Sequence, residues 1–219
     1  MYSGKAARRI IIKRFLMIVI VDYGIGNLAS VLNMFKKIGA KDVVVSNDGE
    51  TLLKATKILL PGVGAFDGGM GNLEKSGLIP TLNQKVLQEK VPVLGICLGM
   101  QMLTKKSAEG QKPGLGWIDA ETLKFSPPPE LKLKVPNMGW NYVQVQRPNP
   151  LIEVGSKSRF YFVHSYYVKC ADEKQSLATS NFGTDFTCMV NKDNIFGAQF
   201  HPEKSLKFGM KVLENFAKL

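Results

Sequence analysis

Four short apolar runs in the first hundred residues, separated by segments of helical periodicity, restrict this chain to few architectures. Met17–Val21, Val43–Val45, Ile58–Leu60 and Val93–Gly95 are strand-length and apolar without alternation, the pattern of parallel strands buried on both faces. Between the first two, Val31, Met34, Phe35 and Ile38 share one helical face, with Asn27 placed to cap the helix and Gly39 to stop it. Glu50–Ala55 reads as a second helix, and the glycine-rich PGVGAFDGGM is followed by helical stretches to about Glu89. Alternating strands and helices of this size predict an α/β fold: a mostly parallel central sheet flanked by helices.

After about residue 115 the pattern changes. WNYVQVQ, RFYFVHSYYV, FTCMV and IFGAQF are strand-like runs divided by turn residues, and a helix returns near 207–216. A strand-rich C-terminal half therefore extends the sheet, and 219 residues with 45% hydrophobic content fit one domain over 17–219.

The net charge of +11 is uneven. Lys5, Arg8, Arg9, Lys13 and Arg14 crowd the first sixteen residues without an acid, and the remaining excess is scattered without the aromatic interleaving of a nucleic-acid platform. Lys13 and Arg14 also interrupt any signal-peptide apolar region, so 1–16 reads as a basic N-terminal extension, with Met17 an alternative start. No apolar run reaches the roughly 18 residues of a membrane span, and the expected location is the cytoplasm. Cys97, Cys170 and Cys188 are an odd set without CxxC spacing, which argues against disulfides and zinc; no metal or cofactor is implied. Cys170 and Cys188 read as small buried apolar side chains.

Cys97 stands apart. In Gly95-Ile96-Cys97-Leu98-Gly99 it has the spacing of a nucleophile at a tight strand-to-helix turn, with glycines two positions away on each side. The helix that follows favours thiolate over thiol. Taken alone, the segment equally suits a structural cysteine beside packing glycines. His201, in QFHPEKS, precedes a proline and is biased to extended backbone, where residues i and i+2 share a side. Glu203 is then placed to orient the imidazole of His201, completing a nucleophile–base–acid set. PGVGAF directly follows the Ile58–Leu60 strand, and its glycines allow backbone N–H groups to approach a developing oxyanion.

LGICLGMQML, LPGVGAF and FGAQFHPEKS, in that order, resemble the class I (triad-type) glutamine amidotransferases, whose fold is flavodoxin-like. VDYGIGNLASV, KVPNMGWN and RFYFVHSYYV narrow the resemblance to the glutaminase subunits of imidazole glycerol phosphate synthase, from Met17 to Leu219. The resemblance implies that Cys97 attacks the side-chain amide of glutamine, His201 protonates the departing ammonia, and Glu203 orients His201. It places the Leu98 N–H and an N–H of Gly62-Val63-Gly64 in the oxyanion hole. Gln101 and Glu109 would contact substrate, with His164, Ser165 and Tyr166 lining the pocket. It also implies a heterodimer with a (β/α)8-barrel cyclase, HisF-like, facing Asn137, Met138, Gly139, Trp140 and Lys204.

Two positions depart from that pattern: Asn137 stands where His or Gln follows KVP, and Leu206 where Gln follows HPEKS. They leave a related reading, a paralogous glutaminase supplying ammonia to a sugar-modifying synthetase of surface-polysaccharide assembly. A dinucleotide site is a remoter one: GIGNLA at Gly24–Ala29 fits G-x-G-x-x-G/A, with Asp48 as the ribose-binding acid. It accounts for neither Cys97 nor His201.

Overall fold

The computed structural model describes residues 17–219; the basic 1–16 segment lies outside the described residues. Strand and helix alternate through the first half: β1 (Ile18–Val21), α1 (Leu28–Lys37), β2 (Val43–Ser46), α2 (Gly49–Leu53), β3 (Lys57–Gly62), α3 (Phe66–Lys75), α4 (Ile79–Asn83), β4 (Val93–Cys97) and α5 (Leu98–Met102). A π-helical turn, Gln84–Gln88, continues α4. The second half is strand-rich: β5 (Lys106–Ser107), β6 (Ala120–Lys124), β7 (Asn137–Tyr142), β8 (Gln144–Val145), β9 (Arg159–His164), β10 (Tyr166–Cys170), β11 (Ser176–Asn181), β12 (Asp185–Lys192) and β13 (Ile195–Ala198), closed by α6 (Leu206–Lys218).

One large sheet runs β2-β1-β3-β4-β13-β12-β10-β6-β5, with β11 and β8 branching from β12. Its first five strands are parallel, and β12 opens the antiparallel extension. The runs WNYVQVQ and RFYFVHSYYV each divide between two elements. β7 and β9 leave the main sheet as a separate antiparallel pair, and the break between β9 and β10 falls at Ser165, whose carbonyl accepts the Phe125 N–H.

Both faces of the parallel part are covered, which explains its unbroken apolar runs. Ile18, Ile20, Leu59 and Leu94 pack with Val31 and Phe35 of α1 and Val212, Leu213 and Phe216 of α6. The alternate residues Val19, Val21, Ile58, Leu60 and Val93 pack with Phe66, Met70 and Leu73 of α3 and with Leu98 and Met102 of α5. Asn27 departs from expectation: its side chain makes no capping bond, and only its carbonyl starts α1 by accepting the Val31 N–H. Among the described residues no helix is long and apolar enough to cross a membrane.

The glycines around Cys97 are demanded by close backbone packing. A Cβ on Gly99 would lie 1.8 Å from the Leu60 carbonyl oxygen, and one on Gly95 would lie 2.7 Å from the Gly99 carbonyl oxygen. Helix α5 thus rests on the backbone of β3 and β4 with no side chain between them. Gly99→Ala forces backbone apart and is expected to cost about 3 kcal/mol or more in denaturant unfolding, the upper range for overpacking. An unchanged unfolding midpoint would refute this account of the contact.

Candidate active site

Cys97 ends β4 at φ +55° and ψ −110°, a left-handed backbone that strains any residue with a Cβ. The strain turns its side chain out at the carboxyl edge of the parallel strands, the edge where α/β sheets bind ligands. Cys97 is 8% exposed. Helix α5 has five residues, so its dipole adds little, and the neighbouring cation dominates the sulfur's surroundings.

That cation is His201. Its Nδ1 lies 2.7 Å from Glu203 Oε1, with both side chains 2% exposed. The two meet across a short 3₁₀ turn, Pro202–Lys204, rather than along the extended stretch expected from the sequence; His201 itself is extended at φ −97°. The His201 backbone is clamped to β9: its N–H donates to the Tyr161 carbonyl, and the Ser205 hydroxyl donates to the His201 carbonyl while accepting the Tyr161 N–H. Burial pulls the imidazolium toward its neutral form, but the Cys97 side chain and then Glu203 outweigh it and raise the His201 pKa to about 9. With Nδ1 committed to Glu203, Nε2 has no hydrogen-bond partner and is left for sulfur, leaving group or water.

These groups open into a cavity of about 440 Å³ lined by Cys97, Leu98, Gln101, Glu109, His164, Ser165, Tyr166, His201 and Lys204, with Val63 and Gly64 opposite. Gly62 does not line it. It lies beneath the elbow, where a Cβ would meet the Tyr23 hydroxyl at 2.6 Å and Gly99 N at 3.0 Å. Glu109 is held by accepting the Phe66 N–H at 2.9 Å, and the next turn is pinned by Asp67, which accepts the Gln111 and Lys112 N–H groups.

His164 is buried, satisfied and on the cavity wall. Burial first, then nearby His201, lowers its pKa to about 4 against the opposing Tyr166 carbonyl. Its Nδ1–H donates to that carbonyl at 2.6 Å, so Nε2 accepts from Asn137 Nδ2 at 3.0 Å. Asn137 is therefore corrected: at 2% exposure it faces the cavity wall rather than a partner. Met138 and Trp140 point outward, 62% and 41% exposed, as β7 alternates. Trp140 packs edge-on against Tyr161, Arg159 lies over Trp140, and Lys204 lies over Tyr161, so the outward residues form one aromatic–cationic patch with Gly139 between Met138 and Trp140.

Sequence reasoning did not single out Gln199, Ser205, Tyr23, Tyr161 or Arg159. Gln199 is fully buried, with Nε2 3.8 Å from Cys97 Sγ. Its only signal was a polar residue in an otherwise apolar strand end. Asp48, the candidate ribose ligand, caps α2 instead by accepting the Thr51 N–H at 2.8 Å.

An elbow thiol, a buried His–Glu pair and a glycine loop at one sheet edge define a triad hydrolase of the amidotransferase type. The family described as glutamine amidotransferase class-I matches residues 19–219, and the chain belongs to it. Its curated relatives include imidazole glycerol phosphate synthase subunit HisH 2 of Methanococcus maripaludis, 57% identical over 203 residues, or 92% of this chain and 99% of the relative. HisH 2 of Pseudomonas aeruginosa is 51% identical over 204 residues, covering 93% and 100%. HisH 1 of Methanococcus maripaludis is 44% identical over 207 residues, again covering 93% and 100%. Two solved structures share the fold: a glutamine amidotransferase at TM-score 0.70 and 19% identity, covering 92% of this chain and 99% of that one, and PurLQS from Thermotoga maritima at 0.71 and 18%, covering 93% and 98%.

Because the folded pKa of His201 lies above its unfolded value of about 6.5, its protonation stabilises the fold fully below that value and the contribution fades as pH rises through 9. Glu203→Gln is expected to lower the His201 pKa, read from its imidazole NMR resonances, and to slow glutamine hydrolysis by about 100-fold or more. An unmoved titration would remove Glu203 from the pair.

Proposed function

We propose that this chain hydrolyses glutamine to glutamate and ammonia through a thioester on Cys97 and delivers the ammonia to a barrel-type cyclase subunit, HisF, for imidazole glycerol phosphate synthesis in histidine biosynthesis. The observation that carries the reading is a charged, buried His201 set between Glu203 and Cys97 in the cavity lining, in a chain 57% identical to a HisH subunit.

The Cys97 thiolate attacks the side-chain carbonyl carbon of glutamine, forming a C–S bond and an oxyanion. The Leu98 N–H and an N–H of the Val63-Gly64 segment receive that oxygen, with Gly64 at φ +97° allowing the loop to turn toward it. His201 Nε2–H protonates the nitrogen as the C–N bond breaks, and ammonia leaves. Neutral His201 then takes a proton from water, which attacks the thioester; collapse expels the thiolate and releases glutamate. Gln101 and Glu109 bind the substrate, the Glu109 carboxylate matching its α-ammonium group, and the 164–166 segment forms the wall.

The outward patch of Met138, Gly139, Trp140 and Lys204, joined by Tyr161 and Arg159, is the docking face for the cyclase in a heterodimer. Exposed Trp and Arg are the residue types that anchor interfaces. A cytoplasmic location belongs to the same proposal, supported by three free cysteines among the described residues.

Glutamate release is measured with the chain alone and then with HisF and its ribonucleotide substrate. A large rise on mixing is expected; no rise with an intact triad would redirect the ammonia to another synthetase. The 57% and 44% identities to two subunits of one organism make the acceptor the point to test. Cys97→Ala is expected to abolish hydrolysis while the chain still folds, and undiminished release by that variant would overturn the mechanism. Trp140→Ala is expected to weaken association with HisF by about tenfold or more without altering the melting temperature. Unchanged affinity would move the docking face elsewhere.

A further inference from the structure

Gln199 lies beside the nucleophile because of strand register. β13 pairs in parallel with β4 through Ala198↔Ile96, so residues 199 and 97 stand one step beyond the last pair, at the edge where the sulfur emerges. The Gln199 side chain is fully buried and bridges two groups: Nε2 donates to Cys97 Sγ at 3.8 Å, and Oε1 accepts from Gln101 Nε2 at 3.1 Å.

The orientation of these amides follows from one backbone atom. The Tyr166 carbonyl can only accept, and it draws the Gln101 NH2 group at 3.3 Å as well as the His164 Nδ1–H. With the Gln101 NH2 on that side, Gln199 must present its oxygen to Gln101, which leaves its own NH2 directed at sulfur. His164 is fixed in turn by Asn137, and Asn137 Oδ1 accepts from Asn141 Nδ2 at 3.0 Å. The amide polarity is thus set from the Tyr166 carbonyl outward, and a spontaneous flip of Gln199 would place its NH2 against that of Gln101 and its oxygen against sulfur in a buried site.

We propose that Gln199 is a catalytic residue of this site, a dedicated hydrogen-bond donor to the Cys97 thiolate, with Gln101 and the Tyr166 carbonyl as its positioning groups. The inference rests on the reading of Cys97 as the nucleophile. A neutral donor does two things that His201 cannot do alone. It keeps a hydrogen bond on sulfur after His201 has given its proton to ammonia, and it stabilises sulfur again as the group expelled when water opens the thioester. No proton moves through the amide in either step.

Charged and titratable groups around the sulfur are His201 with Glu203 behind it, Tyr23 from the loop after β1, and Glu109, Lys204, His164 and Tyr166 around the cavity. Gln199→Met keeps the length and approximate volume while removing the donor, and leaves all of these in place. The test is the pH dependence of Cys97 alkylation by iodoacetamide in the full chain, which needs neither glutamine nor a partner. Absence of glutaminase activity in the wild-type chain would count against the proposed function, whereas the alkylation profile of Gln199→Met is read at the sulfur without glutamine. The variant also removes an acceptor of the Gln101 NH2 group, which keeps the Tyr166 carbonyl.

The inflection of that profile is expected to rise by about one pH unit, the scale of one hydrogen bond to a charged group, with the alkylation rate at high pH preserved. The acid limb of kcat/KM for glutamine should move with it. An unmoved inflection in a folded variant overturns the proposal and leaves Gln199 a packing residue. If Gln199→Met does not fold, side-chain NH2 resonances of the 15N-glutamine-labelled chain answer instead. One should titrate with the thiol and stop titrating in Cys97→Ala; absence of such a resonance overturns the proposal equally.

Discussion

The contact between Gly99 and the Leu60 carbonyl is the constraint on which the site depends. It lets α5 begin immediately at the end of β4 and lie flat on the neighbouring strand, so the residue at the turn has no room for an ordinary backbone conformation. Cys97 takes the strain, and its sulfur is thereby lifted out of a sheet whose interior is otherwise sealed. The His201–Glu203 pair follows the adjacent strand, β13, which is held in parallel register with β4 and ends at Ala198. Cys97 is thus placed by the sheet itself, while His201, beyond the end of β13, is fastened to β9 by its own N–H and again through Ser205. Ladder register brings the two segments to one edge, and the clamp on β9 fixes the turn that carries His201 and Glu203.

Within that frame the two histidines of the chain are driven apart in charge. Both are buried at one cavity. His201 faces a carboxylate and a thiol and holds its proton to about pH 9, while His164 faces an amide and a carbonyl and stays neutral to about pH 4. Around neutral pH one ring is therefore charged and the other neutral. The difference comes from their partners, since both rings lose comparable contact with water.

Much of this was legible in the sequence because it follows from local spacing. The parallel strands announced themselves by unbroken apolar runs, the elbow by glycines two residues either side of Cys97, and the His201–Glu203 pair by its short separation. What escaped depended on partners far away in the chain. Gln199 meets Cys97 across 102 positions, and its only local mark is a polar side chain at the end of an apolar strand. Asn137 was assigned to the wrong face because direction on a strand turns on a single residue of register, and its true partner is 27 residues away. Asp48 was a decoy of the opposite kind, a correctly spaced acid whose carboxylate caps the helix immediately after it.

The burial of the two remaining thiols has a practical side. Burial raises the Cys170 pKa to about 11, against the Thr187 hydroxyl, and pushes fully buried Cys188 higher still, so neither supplies appreciable thiolate at neutral pH. Cys97 sits beside His201, which holds its proton to about pH 9. A mild electrophile is therefore expected to label Cys97 ahead of the other two thiols, and the moles of label incorporated would then count molecules with an intact site. The chain carries its own means of standardising concentration, independent of substrate, acceptor or turnover.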